Sequence, residues 1–232
     1  MDSIIKELEK DKELLKKELL WRKVWIGSRE MTKSRITSWL VQYRGFTGSQ
    51  AYTAINNVKS IDNVRYRQEP FPSLVIGLHW KQRQVGVELI KLGKKGVTKA
   101  KVGRVGYSKL ETHSPLSTII TESLSNAFVN AIYGFSSIVL HGTNNLANLP
   151  EILGQEKINQ KKTILWLDNF IFQGKLYYRA KEIEKKLPDL LVFEAFRHRR
   201  NNWDCNDELI AQNNSEGNID IYYQMIRRYL NG

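Results

Sequence analysis

Hydrophobic positions change their spacing along the chain at about residue 70. Before this point, apolar residues recur every three or four positions, which is typical of amphipathic helices. The pattern predicts one helix over residues 2–23, a second that starts after Thr32 as N-cap, and a third that starts after Ser49. We therefore expect residues 1–69 to form a helical N-terminal region.

The first of these helices carries apolar residues near one face and alternating lysine and glutamate elsewhere. Its apolar stripe contains Ile5, Leu8, Leu15 and Leu19. Because its charges nearly cancel, we interpret it as a docking or coiled-coil helix and not as a nucleic-acid-binding arm.

After Pro70 and Pro72, apolar runs of strand length alternate with segments of helical spacing. The predicted strands are 73–80, 99–108, 136–142, 162–170 and 189–197. The predicted helices are 84–93, 116–134, 175–187 and a last one near the C-terminus. Continuous apolar strands between helices are typical of a sheet that is covered on both faces. The fold class is therefore predicted as α/β, with a mainly parallel sheet flanked by helices over residues 70–232.

The composition narrows the class of protein further. The chain has 232 residues and a single cysteine, Cys205, so an internal disulfide and a cysteine-based zinc site are excluded. No run of 18 apolar residues is present, and the charged N-terminus does not have the pattern of a signal peptide. We expect a cytoplasmic protein without a membrane span.

The net charge of +12 is concentrated in one segment. Residues 81–109 contain nine lysines and arginines and one acid, Glu88, so this segment alone carries +8. The nine are Lys81, Arg83, Lys91, Lys94, Lys95, Lys99, Lys101, Arg104 and Lys109. Such a local imbalance favours an anionic partner, either a nucleic acid or a phosphorylated ligand.

A second basic group lies near residue 200. Three arginines, Arg197, Arg199 and Arg200, precede Trp203. Arginine beside an aromatic ring is how single-stranded nucleic acid is often held, through phosphate contacts and stacking. The same residues would equally suit a cation–π cluster at the edge of a fold, and both interpretations remain open.

Polar residues that follow predicted strands are candidates for binding and catalysis. In an open parallel sheet, ligands bind beyond the carboxyl ends of the strands. Asp168 and Asn169 lie at the end of one strand, Gly174 lies in the turn, and Lys175 begins the next helix. An acid there can accept hydrogen bonds from sugar hydroxyls, and the turn can hold a phosphate. The alternative is that Asp168 only caps the next helix and Gly174 only relieves a turn.

Three histidines, His79, His141 and His198, are candidate general bases. His79 is the preferred one, because it falls in the expected ligand-binding loop. The alternative is that each histidine is only a polar residue with a satisfied hydrogen bond.

The segment ILWLDNFIFQGKL, residues 164–176, resembles the ribose-phosphate-binding motif of type I phosphoribosyltransferases. Residues 72–93 resemble the first core strand, pyrophosphate loop and following helix of that family. The sequence departs from the family pattern where Asn169 replaces the second acid, Phe172 a proton acceptor and Gln173 a hydroxyl-bearing residue.

The resemblance implies a phosphoribosyltransferase-like, Rossmannoid domain with a drifted sugar-phosphate site. Catalytic roles would fall on Asp168, Asn169 and His79. Ligand-binding roles would fall on Leu78, Trp80, Lys81, Gln82, Gln173, Gly174 and Lys175. Mg²⁺ would be required if phosphoribosyl pyrophosphate is bound, and no other cofactor is expected.

Three hypotheses about function follow. In the first, the protein is a nucleic-acid-associated subunit or effector of a bacterial antiphage module such as a retron, with a reverse transcriptase as a possible partner. In the second, it is an active phosphoribosyltransferase that acts on a nucleotide or a nucleic-acid acceptor. In the third, it is a nucleic-acid-binding protein without catalysis. In all three, the nucleic-acid-binding residues would be Lys94, Lys95, Lys99, Lys101, Arg104, Arg197, Arg199, Arg200 and Trp203.

Overall fold

The computed structural model describes residues 2–61, 63–68, 72–92, 99–168, 175–196, 199 and 203–231. The chain forms two compact units, each of them built from two separate segments. Unit 1 comprises Met1–Met31 and Asp62–Ser108, and unit 2 comprises Thr32–Ile61 and Lys109–Gly232. These bounds differ from the division at residue 69, which stays a prediction about domains.

Unit 1 consists of a long helix and an antiparallel sheet. The elements are α1 (Asp2–Ile26), β1 (Arg29–Glu30), β2 (Val64–Arg67), β3 (Ser73–Trp80), β4 (Arg83–Lys91) and β5 (Lys99–Gly103). The strands are hydrogen-bonded in the order in which they occur along the chain, and each pair is antiparallel. The expected mainly parallel sheet is therefore wrong for this half of the molecule.

Helix α1 packs on this sheet through tryptophan and valine. Trp21 and Val24 are buried against Val75 of β3 and Val87 of β4. The stripe that contains Leu15 and Leu19 is on the exposed part of the helix, with 57% and 59% of these residues accessible. The helix thus has two apolar stripes, and its docking face is the one with the larger side chains.

Strand β4 occupies the segment that the sequence predicted to be a helix. Val85, Leu89 and Leu92 have helical spacing, but Val85, Val87 and Leu89 also fit the two-residue repeat of a strand. The strand is favoured because Val87 completes the core under α1. The segment is paired with β3 over its whole length, from Ser73 opposite Lys91 to Trp80 opposite Arg83.

The turn between β3 and β4 is consequently a tight hairpin. Lys81 and Gln82 both have positive φ, 51° and 60°, as the two central residues of a type I′ turn require. Leu78 to Gln82 therefore do not form a pyrophosphate loop that leads into a helix.

Unit 2 has a second sheet between helices. Its strands are β6 (Ser108–Leu110, which begins at the last residue of unit 1), β7 (Thr118–Thr121), β8 (Ser136–Val139), β9 (Thr163–Leu165) and β10 (Leu191–Val192). Its helices are α2 (Lys33–Arg44), α3 (Gly48–Asn57), α4 (Leu124–Ile132), α5 (Leu149–Gln155), α6 (Lys175–Lys186), α7 (Cys205–Asn213) and α8 (Ile219–Asn231). Short 3₁₀ helices cover Thr143–Asn148 and Gln160–Lys162.

The strand order in this sheet is β10-β9-β7-β8-β6. The pairs β10–β9, β9–β7 and β7–β8 are parallel. The predicted α/β class is confirmed, whereas the predicted mainly parallel sheet is not, because the sheet of unit 1 is antiparallel. The fold as a whole is α/β with one antiparallel and one largely parallel sheet.

Capping residues explain several helix boundaries of unit 2. Thr32 caps α2 as predicted, accepting a hydrogen bond from the backbone N–H of Arg35. Thr47 and not Ser49 caps α3, in a reciprocal arrangement with Gln50. The predicted helix 116–134 is instead β7 followed by α4, because Ser123 starts a new helix as its N-cap.

Within the described parts of the chain, no helix is long and apolar enough to cross a membrane.

Gly86 and Gly103 allow β4 and β5 to approach closely. A Cβ atom at Gly86 would lie 2.7 Å from the carbonyl oxygen of Arg104 and 2.8 Å from that of Val102. We predict that Gly86→Ala lowers the stability by about 1–3 kcal/mol, because the backbone of β5 must shift. Gly154→Ala in α5 is the control: nothing lies within 4 Å of its Cβ position, and alanine favours the helix. Thermal unfolding of both variants measures the difference, and equal melting temperatures would contradict the close approach.

Candidate functional site

Two carboxylates lie at the carboxyl ends of the parallel strands of unit 2. Glu122 follows β7 directly, and Asp168 lies three residues beyond the end of β9. The backbone N–H of Asp168 donates to Oε1 of Glu122 at 3.3 Å. Glu122 is 7% exposed, and Asp168 is half-buried. These two residues are at the carboxyl ends of neighbouring parallel strands, where ligands bind in such sheets.

Two asparagines connect these carboxylates to the surrounding helices. Asn126, in the first turn of α4, donates from Nδ2 to Oδ1 of Asp168 at 3.3 Å. Its own Oδ1 accepts from the backbone N–H of Asn206 at 3.3 Å. Asn206 in turn donates from Nδ2 to the carbonyl oxygen of Arg44 at 2.9 Å. A continuous chain of hydrogen bonds thus runs from β9 through α4 and α7 to the end of α2.

A third acid, Asp204, caps α7 close to this network. Its side chain accepts from the backbone N–H of Asp207 at 2.8 Å, and the carboxylate of Asp207 accepts in return from the backbone N–H of Asp204 at 3.2 Å. Burial, followed by the charges of Asp204 and Asp168, raises the pKa of the Cys205 thiol well above its ordinary value. The thiol is therefore protonated and unsuited to nucleophilic attack. We call Glu122, Asn126, Asp168, Asp204 and Asn206 the strand-end site.

Arg44 is the cation near the strand-end site. Its guanidinium lies 4.9 Å from the centroid of the Trp39 ring. Burial lowers the pKa of Arg44, and the negative charge of Asp204 opposes this effect. Since an arginine remains charged even when its pKa is lowered, Arg44 offsets part of the negative charge of the site.

Carboxylate and amide oxygens are the ligand type that Mg²⁺ prefers. Among the described residues, no group of three or more His, Cys, Asp and Glu side chains is arranged to hold a metal ion. Mg²⁺ usually keeps several waters and is held by one or two carboxylates together with phosphate oxygens. Glu122 and Asp168 fit this type of site. The two carboxylates would supply the protein ligands of Mg²⁺, and a bound phosphate would supply further oxygen ligands.

The sequence predicted Asp168 but not its neighbours in this site. Asn169, Gln173 and Gly174 lie outside the described residues, and Lys175 is the first residue of α6. Glu122 was missed because 116–134 was interpreted as one helix. The sequence nevertheless contains a signal for this strand end. The apolar run of β7 is followed by Glu122 and then by Ser123, which is a strong N-cap residue.

The other predicted ligand-binding residues belong to the hairpin of unit 1. Leu78 is fully buried in β3, and Lys81 and Gln82 are exposed in the turn. Trp80 packs edge-on against Tyr107, with 6.5 Å between the ring centroids. These residues belong to unit 1, whereas Asp168 belongs to unit 2. They form a tight hairpin, which differs from a phosphate-binding loop.

Of the candidate histidines, His79 belongs to unit 1 and His141 to unit 2. The backbone of His79 pairs with Tyr107, with N–H···O distances of 2.7 and 3.1 Å, which extends the antiparallel sheet. His141 follows β8, is buried and has a φ of 54°. His198 lies outside the described residues, and the catalytic role of His79 stays a prediction.

Arg199 and Trp203 contact a buried carboxylate in unit 2. Arg199 donates to both oxygens of Glu208, at 2.9 and 3.1 Å, and Nε1 of Trp203 donates at 2.8 Å. The guanidinium also lies 5.0 Å from the centroid of the Trp203 ring, so a cation–π contact joins Arg199 and Trp203. Glu208 is 1% exposed. A role of these two residues in nucleic-acid binding stays a prediction, as does that of Arg197 and Arg200, which the structure does not describe.

The predicted basic residues of unit 1 are partly described. Lys81 and Arg83 at the start of β4 and Lys101 and Arg104 at the end of β5 are exposed. Lys94 and Lys95 lie outside the described residues, and Lys99 is the first residue of β5. Glu88, the single acid of this segment, is 2% exposed and is paired across the strands with Lys101. The exposed surface of β4 and β5 is therefore strongly cationic. We call its exposed residues Lys81, Arg83, Lys101 and Arg104 the cationic edge of unit 1.

Comparison with known proteins gives a likeness in structure alone. No family model matches the sequence, and no curated protein matches it. The chain is similar to the primase fragment of the bacteriophage T7 primase-helicase protein, with 12% identity, a TM-score of 0.48, and coverage of 84% of this chain and 79% of that one. It is also similar to the Aquifex aeolicus primase with its zinc-binding and RNA polymerase domains, with 15% identity, a TM-score of 0.42, and coverage of 88% and 50%.

These findings correct the family that the sequence suggested. Both of these solved structures are primases, and the segment thought to be a pyrophosphate loop is a hairpin. The phosphoribosyltransferase resemblance and the transferase function, drifted or active, are therefore wrong. The retron setting and the reverse transcriptase partner depended on that resemblance alone, and they lose their support with it.

The contact of Glu208 with Arg199 generates a prediction about stability and pH. Burial raises the pKa of Glu208, but hydrogen bonds from Arg199, the backbone of Asn218 and Trp203 outweigh it, and the net pKa is lowered. A lowered folded-state pKa stabilises the protein above the unfolded value of about 4.3, and this contribution is lost as the pH falls through the folded value. We predict that Arg199→Gln costs about 3 kcal/mol at pH 7, because it leaves a buried carboxylate unpaired.

Urea unfolding at pH 7 and below pH 4 tests this prediction. The difference between wild type and Arg199→Gln should shrink in acid, where Glu208 becomes protonated in both. Arg179→Gln, which removes an exposed arginine of α6, is the control and should change little at either pH. An equal loss at both pH values would show that the ion pair is not its cause.

Proposed function

We propose that this protein binds nucleic acid through the cationic edge of unit 1. The observation that carries the proposal is the net charge of +7 over residues 81–108 of unit 1, where eight lysines and arginines stand against one acid, Glu88, which is buried. Among the described cations, Lys81, Arg83 and Arg104 are exposed at one end of the β4–β5 pair, Lys101 is exposed in the middle of β5, and Lys91 is exposed at the other end. Such a surface attracts a polyanion over a distance and binds it through counterion release.

The shape of this surface suits a phosphate backbone. Strand β5 is the edge strand of the five-stranded sheet and pairs antiparallel with β4, with Gly86 opposite Gly103 and Glu88 opposite Lys101. The tight turn places Lys81 at the end of the β3–β4 hairpin, beyond the paired strands. Cations that are spaced along an extended strand at the edge of a sheet can contact several successive phosphates. Such contacts do not depend on the base sequence.

Removing cations from this edge should weaken binding without changing sequence preference. We predict that the double variant Lys81→Gln and Lys101→Gln lowers the slope of log K against log salt concentration by about two, one for each lost phosphate contact. Fluorescence anisotropy with a labelled oligonucleotide at several salt concentrations measures this slope.

The control for this experiment removes the same charge from unit 2. Lys185 and Lys186 are exposed at the end of α6, and their replacement by glutamine should leave the slope unchanged. If the wild-type protein does not bind at low salt, or if both double variants behave alike, the assignment to unit 1 is incorrect.

A second candidate function is the binding of a phosphate group together with Mg²⁺ at the strand-end site. The specific observation in its favour is that Glu122 and Asp168 are joined by a hydrogen bond at the ends of adjacent parallel strands. When bound, Mg²⁺ would neutralise and polarise phosphate oxygens. Asn126 orients the Asp168 carboxylate through its hydrogen bond, and the contact between the Asp168 N–H and Oε1 orients Glu122. Both carboxylates are thus held in place before a ligand binds.

Conservative amide substitutions test this second function. Glu122→Gln and Asp168→Asn each keep an oxygen that can accept the observed hydrogen bond but lose the negative charge. We predict that Mg²⁺ raises the melting temperature of the wild type, by mass action, and that either variant abolishes the rise. Calorimetric titration with MgCl₂ checks the binding directly. Glu182→Gln, an exposed position of α6, should bind Mg²⁺ as the wild type does, and retained binding in both site variants would exclude the strand-end site.

A further inference from the structure

Unit 1 contains an open groove of about 520 Å³ between α1 and the ends of β4 and β5. Its apolar part is formed by Leu14 and Trp21 of α1 together with Val85 and Val105. Arg83 and Arg104 lie at its sheet side. The volume is within the usual range of ligand sites, about 300–1,000 Å³, and is sufficient for a nucleotide.

The cations around the groove differ in whether they form ion pairs. On the helix side, Lys17 pairs with Glu13 at 3.5 Å and Arg22 with Glu18 at 2.6 Å. On the sheet side, the structure gives neither Arg83 nor Arg104 an acidic partner among the described residues. The two arginines are therefore the groove residues that are available to an anionic ligand.

Close backbone packing holds the groove in shape. A Cβ atom at Gly103 would lie 2.6 Å from Cδ1 of Trp21, so the end of β5 lies directly against the indole ring. Gly103 has a φ of 97°, which favours glycine. The next residue, Arg104, donates its backbone N–H to the carbonyl oxygen of Val85 at 3.0 Å. Arg104 and Val105 are thus positioned by the backbone, while Val105 remains 48% exposed.

We propose that this groove holds an unpaired segment of single-stranded nucleic acid, an inference that rests on the proposed nucleic-acid binding. An apolar surface beside two unpaired guanidinium groups fits a ligand that has flat apolar faces and negative charges along one side. Unpaired nucleotides have both features, since their bases can leave the stack while their phosphates contact arginine. In a duplex the base faces are stacked on one another and cannot contact the groove. Duplex nucleic acid would then be limited to the phosphate contacts of the outer edge.

Val105→Glu is the variant that separates the groove from the rest of the cationic edge. It places a carboxylate on an exposed position of the groove wall, where little folding energy is at risk. We expect the wild type to bind a labelled 12-nucleotide single strand more tightly than the corresponding duplex at equal salt. Val105→Glu should weaken single-strand binding about tenfold, because a like charge then lies near phosphate. Duplex binding should be nearly unchanged.

A pair of double variants gives the charge-matched comparison. Arg83→Gln with Arg104→Gln removes two cations from the groove, and Lys23→Gln with Arg29→Gln removes two exposed cations of the same unit outside it. The first pair should abolish the preference for a single strand over a duplex, and the second should leave that preference intact.

The outcomes distinguish this inference from the proposed function. If the wild type binds neither form of nucleic acid, the proposed function fails and the groove assignment fails with it. If it binds both forms and Val105→Glu affects them equally or not at all, nucleic-acid binding stands and the groove assignment is overturned. A mononucleotide that binds the groove more tightly than the 12-nucleotide strand would also overturn the single-strand assignment.

Discussion

The parallel pairing of β7 with β9 is the constraint on which the strand-end site depends. Ile120 is in register with Leu165, and Trp166 continues the ladder by donating its N–H to the carbonyl oxygen of Ile120 at 3.0 Å. With this register, Glu122 and Asp168 leave the sheet at the same edge. A shift of one residue would exchange the two faces of β9, and the buried side chains would no longer fit the core. The burial of this sheet therefore also determines the geometry of the carboxylates.

A different constraint shapes unit 1. The glycines at 86 and 103 let β4 and β5 approach each other and the indole of Trp21 more closely than any larger residue would. The apolar side chains of α1 cover one face of the sheet, and its charged residues form ion pairs within the helix at Glu13 and Glu18. Among the described residues, Arg83 and Arg104 of the sheet therefore have no acidic partner on the helix that covers it. The cationic edge is thus a result of both packing and composition.

The sequence predicted those elements whose pattern has a single interpretation. The helix α8, the helix α2 with its Thr32 cap, and the succession of β9 and α6 all follow from apolar spacing and capping residues. The position of Asp168 at a strand end followed from the same pattern. These features are local, and local sequence is sufficient to specify them.

The remaining features depend on contacts between distant residues. The segment 84–93 has apolar residues that satisfy both helical and strand spacing, and the core under α1 decides between them. The hairpin turn at Lys81 and Gln82 lacks the glycine or asparagine that usually marks such turns. The family resemblance instead suggested a pyrophosphate loop at this place. The motif at 164–176 misled for a related reason. An apolar strand, an acid and a helix follow one another in many parallel sheets, so this succession indicates the local architecture and not one family.

The interleaving of the two units has a consequence for how such a protein can arise. The polypeptide passes from one unit to the other after residues 31, 61 and 108. Neither unit is a continuous stretch of the gene, so neither can be acquired or discarded by joining a new segment to one end of an existing protein. For the same reason, no single cut of the polypeptide releases both units as complete fragments.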